Sequence, residues 1–133
     1  MRAQLWHLSW LLGAAAWFPP PASAHHALSA EYSPKKPIEL IGFVTGVEWA
    51  NPHAHIYIRV KDKSGKMVNW ELELGSPNAL AKRGWTSKAL KIGDKVTVTA
   101  FPARDGSNLV SVRTLRMDDG RVLVGPPDSL FEP

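Results

Sequence analysis

Four of the five histidines stand in two close pairs, His25-His26 and His53-His55, and their type and spacing suit them best for chemistry. An imidazole ligates late first-row metals through a ring nitrogen, and Cu(II) favours nitrogen donors in tetragonal arrangements. An N-terminal histidine offers two such donors at once, its α-amine and its own ring. If residue 25 is the first of the processed chain, His25 chelates one ion and an imidazole from elsewhere completes a T-shaped three-nitrogen set. His53 or His55 is placed to supply that imidazole. Copper is therefore the first metal candidate, with His25, His53, His26 and His55 as candidate ligands. No cysteine occurs, which excludes thiolate metal sites, disulfides, C-x-x-C-H haem attachment and a lipid anchor on an N-terminal cysteine.

The amine depends on processing. Arg2 is followed by an apolar stretch from Leu5 to Phe18, by Pro19, Pro20 and Pro21, and by the small-residue box Ala22-Ser23-Ala24. That order reads as a Sec-type signal cleaved between Ala24 and His25. The apolar stretch is shorter than the roughly 20 residues a spanning helix needs. The expectation is a periplasmic or secreted protein with no membrane span after signal removal. Of 133 residues, 109 then remain, enough for one unstapled core. Losing Arg2 leaves 15 Lys and Arg against 12 Asp and Glu. These charges are interspersed, and no run of aromatics is present to stack bases, so nucleic acid is not an expected partner.

The elements that must position the histidines follow from pattern. Residues 25–37, with Pro34 and Pro37, read as an extended arm. "IELIGFVTGVEW" reads as a long strand bent at Gly42 and Gly46. "HAHIYIRVKD" and "MVNWELEL" alternate with period two around a Ser64-Gly65 turn. Centring the pair on that turn sets His55 opposite Glu73, Tyr57 opposite Glu71 and His53 opposite Gly75, with Glu71 and Glu73 on the non-core face. "GSPNALAKRGW" reads as one short helix capped by Ser76, with Pro77 at its first position and Gly84 at its end. Two or three further strands follow, with turns at Gly93-Asp94, Asp105-Gly106 and Asp119-Gly120. The expected fold is all-β with one short helix, a five- to six-stranded antiparallel OB-type barrel. Its domain spans residues 38–124, and 125–133 form an irregular tail. Ile56, Ile58, Trp70, Leu72, Val96 and Val98 should be core.

His53 thus lies beside the N-terminus of the helix, where unpaired N–H groups favour anions. Asn51, Ser76, Asn78 and Trp49 are the residues expected to line a small ligand pocket there. Motifs for phosphate cradling, acyl transfer and zinc proteolysis are absent, so the reading is a non-enzymatic binding module. Its partner is a metal ion such as copper or, in the alternative, a small ligand or an envelope protein with no metal.

The segments "AHHALSAEYSPKKPIELIGFVTGVEWANPHAHIYIRV", "NWELELGSPNALAKRGW", "LKIGDKVTV" and "RDGSN" resemble small exported bacterial proteins of domain-of-unknown-function family 6152. The resemblance covers residues 24 to 124 and rests on a double histidine at the signal junction with NPH, GSPN and RGW. It implies an exported OB-type protein and carries no assigned activity. The position after NPHA resembles a tryptophan in similar sequences and is His55 here. The double histidine is followed by Ala27 and Leu28 where serine and phenylalanine are usual. The first departure sets His53 ahead of His55 as a ligand.

Overall fold

Alternation builds the walls. The computed structural model describes residues 24–127, with side chains from Leu28 onward. In β1 (Ile38–Glu48), β2 (His55–Lys61) and β3 (Met67–Glu73), every second side chain turns inward. Ala54, Ile56 and Ile58 are buried, and Leu72 and Leu74 meet them from the next strand. The β2–β3 register is the expected one, His55 opposite Glu73 and Tyr57 opposite Glu71. Gly65, at φ 86°, turns the hairpin. Asp62 Oδ1 holds the turn by accepting from the backbone N–H groups of Ser64 and Lys66 at 2.8 and 2.9 Å.

β1 is bent at its glycines. The backbone of Gly42 passes so close to β2 that a Cβ there would lie 2.5 Å from the Arg59 carbonyl oxygen. The β1–β2 register slips between Val44 and Gly46. The bend lets β1 pair with β2 on one side and with β4 (Lys95–Pro102) on the other. β5 (Leu109–Met117) then lies antiparallel to β4 and parallel to β3, joining Leu72 to Val110 and Glu73 to Ser111. This closes a five-stranded barrel, to which β6 (Val122–Val124) adds an outer strand. The closing pair is parallel where an antiparallel barrel was expected. Four antiparallel pairings lead from β3 through β2, β1 and β4 to β5, so the two ends of the ribbon run in the same direction.

Of the six residues expected in the core, five are buried, and Trp70 packs against the core only partly covered. Trp85 is also buried, and its indole N–H donates to the Val124 carbonyl at 2.9 Å. The expected helix is α2 (Pro77–Ala81), capped by Ser76, whose Oγ accepts from the Ala79 N–H at 3.3 Å. Gly84 follows at φ 87°.

Of the residues read as an extended arm, 25–31 lie in a helix, α1 (Ala24–Glu31), and 32–37 do not. Pro34 and Pro37 lie beyond its end, where they stop a helix without entering it. Ala24, Ala27, Leu28 and Ala30 are good helix formers. The Tyr32 N–H donates to the Leu28 carbonyl at 2.8 Å. Leu28 and Tyr32, four apart, share one side of this turn and pack with Phe101, Ala103 and Leu109 in a second apolar cluster outside the barrel.

Candidate functional site

Glu73 ends β3, on the face that strand alternation directs away from the barrel core. It is nonetheless only 7% exposed. The cause is α1, which brings the fully buried Tyr32 over this corner of the barrel. The Tyr32 hydroxyl donates to Glu73 Oε2. His53 Nδ1 lies 2.5 Å from Glu73 Oε1 on the other side. One carboxylate therefore joins the N-terminal helix to the loop between β1 and β2. Burial, then the hydrogen bond to Glu73, push the Tyr32 phenol far above its ordinary range, so it is a fixed donor at neutral pH. Partial burial raises Glu31, with repulsion from Glu73 and Asp105 adding to it and His53 opposing.

His53 is placed by the sharp loop Trp49–Pro52, whose Asn51–Pro52 peptide bond is cis. The Ala54 N–H then donates to the Gly75 carbonyl at 3.1 Å and the Leu74 N–H to the Ala54 carbonyl at 2.9 Å, extending the β2–β3 ladder to the histidine. His53 is thus beside Gly75 and the Ser76 cap, as the register required. A cavity of about 270 Å³ opens here, walled by Leu28 and Glu31 from α1, His53 and Glu73, and Ser76 and Leu80 of the capped helix. Pro126 and Arg83 complete one side, with the Arg83 guanidinium donating to the Gly125 carbonyl.

His55 does not share this cavity. It turns to Glu71, with Nδ1 2.8 Å from Oε1 and no hydrogen-bond alignment. The diagonal pairs His53–Glu73 and His55–Glu71 replace the directly opposed His55–Glu73 pair that the register alone suggested. Of the four residues expected to line a pocket, Ser76 does so. Asn51 and Asn78 are exposed, and Trp49 packs partly against the core. Tyr32 and Glu31 were not expected. Their signal was the spacing Leu28, Glu31, Tyr32, which makes one helical face only if α1 is recognised as a helix. The side chains of His25 and His26 lie outside the described residues. Among the described residues, no three His, Asp or Glu groups form a cluster suited to a metal ion.

The arrangement supplies one imidazole whose Nδ1 is engaged by a buried carboxylate, which in turn is held by a phenol. Such a carboxylate fixes the ring's tautomer and leaves Nε2 as the donor atom, the usual outer-shell support of a metal-ligating histidine.

A family model described as a family of unknown function, DUF6152, matches residues 14–111, more than half of the chain. No curated protein and no solved structure matches.

Proposed function

Since the chain belongs to the family of unknown function DUF6152, we propose that it is an exported, periplasmic, non-enzymatic binding module. Its ligand is a transition metal, copper first, held at the barrel mouth by the amine and imidazole of an N-terminal His25 together with His53. The observation that carries this reading is the chain Tyr32–Glu73–His53 at a cavity that α1 lines. The helix keeps position 25 close to Leu28, which lines the cavity, because it rises only about 1.5 Å per residue. Bound Cu(II) would draw on nitrogen donors alone. The leader order, with its cut between Ala24 and His25, supports export and a free His25 amine.

The test uses the exported protein, with its first residue read by intact mass. Cu(II) is titrated into that protein, into a form carrying one extra N-terminal glycine, and into His53→Ala. The extra residue moves the amine and spares both side chains, so it should weaken binding most. His53→Ala should weaken it too, and His55→Ala less. Acidification should weaken binding, because protons compete for the imidazoles. Equal binding by all forms, or binding no tighter than a free histidine peptide, ends the metal reading. The apolar lining from Leu28, Leu74 and Leu80 around His53 and Ser76 then favours the alternative, a small organic ligand in the same cavity.

A further inference from the structure

We propose that the outer face of β1, β2 and β4, away from the histidine mouth, docks on the surface of a bilayer rich in anionic headgroups. Cross-strand register places Lys95, Phe43, Arg59 and Asn69 side by side in one row. The next row is Thr97, Ile41, Lys61 and Met67, with Ile41 opposite Lys61 by continuation of the β1–β2 ladder. Apolar and cationic side chains alternate through the middle of both rows, and neither row holds a carboxylate; Glu39 stands one row further along, opposite Thr99. Ile41 and Phe43 are each 50% exposed and Met67 46%. These are large apolar groups directed at water with no covering element among the described residues.

The patch continues past Lys95. Gly93 donates to the Val44 carbonyl and Val44 to the Asp94 carbonyl, which pins the loop before β4 beside Phe43. At its tip Ile92 is 76% exposed. Lys91 and Lys95 share with Phe43 an open cleft of about 710 Å³. Lys88 and Arg121 line the cleft too, and three acids border it: Asp118, Asp94, whose Oδ2 accepts from the Lys91 N–H at 2.8 Å, and Asp119, whose Oδ2 pairs with Arg121 at 2.8 Å.

Charge complementarity selects an anionic partner, and the apolar residues select which one. Three of the four exposed groups, Ile41, Met67 and Ile92, are not aromatic, whereas a single-stranded nucleic acid is held by successive aromatic platforms. Apolar tips ringed by lysine and arginine suit the boundary between headgroups and acyl chains. A barrel wall is convex, so its central side chains meet a flat surface first. The inference does not rest on the copper reading, since it uses none of the same residues.

The test is co-sedimentation with vesicles of phosphatidylcholine alone and with about one third phosphatidylglycerol. The charged vesicles should bind the protein, and binding should fall steeply between about 0.05 and 0.5 M NaCl. Each neutralised cation should cost roughly fivefold, so Arg59→Gln, Lys61→Gln and Lys95→Gln together should cost roughly a hundredfold. Phe43→Ser with Ile92→Ser should weaken binding while leaving its salt dependence. All five side chains are at the surface, and matched thermal midpoints will show that the variants fold. Equal binding to both vesicle types, or no loss in the triple variant, overturns the proposal. Tighter binding to a single-stranded oligonucleotide than to charged vesicles also overturns it.

Discussion

Replacing Tyr32 by phenylalanine isolates the hydrogen bond that fastens α1 to the barrel. The ring is fully buried against Phe101 and Ala103, and phenylalanine keeps that packing. What is lost is one O–H donor to Glu73. A hydrogen bond to a charged group contributes about 1.5–3 kcal/mol net. At 7% exposure the Glu73 carboxylate cannot recover full hydration, so the cost should lie near 2 kcal/mol. In a domain of this size that corresponds to a fall in Tm of about 8 °C or more. Urea unfolding followed by tryptophan fluorescence should show a lower midpoint with an unchanged slope. There is an alkaline signature as well. The phenol's pKa is raised in the fold, so its contribution is complete below the unfolded value of about 10 and is lost as pH rises above it. Tyr32→Phe should therefore flatten the loss of stability above about pH 10. Tyr57 is raised too, by slight burial and by Glu48, so some slope remains. A change under about 0.5 kcal/mol would refute the reasoning, being within the range of an ordinary surface substitution. So would an equal cost of Tyr32→Phe in a Glu73→Ala background, because a double-mutant cycle must show coupling if the carboxylate is the partner.

Ser76→Ala should cost about 1 kcal/mol and Ser76→Gly less, the order of preference at helix N-caps; equal unfolding midpoints for wild type and Ser76→Ala would refute the capping role. The exposed Asp62 is held below its usual carboxyl range, first by the Ser64 side chain and then by backbone N–H groups. Its contribution is present above the unfolded value of about 3.9 and is lost as pH falls further. Asp62→Ala should therefore lower the thermal midpoint at pH 7 and shrink the gap from wild type below about pH 3, which calorimetry across pH will measure.

The walls of the barrel were legible because period-two alternation and one turn fix a register. Ser64-Gly65 alone placed His55, Tyr57 and His53 against their partners, and the ladder observed is the ladder expected. Gly42 and Gly46 likewise announced the bend in β1. The corner at Glu73 was not legible. Alternation directs that residue outward, and only a distant element, α1, decides whether outward means solvent. That helix was hidden by Pro34 and Pro37, which forbid a helix where they stand and say nothing of the turns before them. Asn51 and Asn78 were placed near the pocket by their distance along the chain, but neither lines it, since neighbours in sequence at a tight loop and a helix start point to different sides. The two carboxylate-free rows across β1, β2 and β4 also escape a linear scan. Their cations are never consecutive, and they become neighbours only across strands.

The parallel join between β3 and β5 has a consequence for how the chain acquires its shape. Up to the end of β4, the earlier strands can form only a curled ribbon with two free edges. Its interior stays open until Leu109–Ser111 arrives beside Glu71–Glu73. The first edge must wait across the whole α2–β4 excursion, and closing so long a loop carries an entropic cost before any contact returns it. Pairing at that seam spans a long stretch of chain, so damage there should slow closure of the ring more than formation of the hairpins. Glu73 sits on the seam itself, opposite Ser111. The carboxylate that steadies His53 therefore sits on the same seam that gives the molecule an inside.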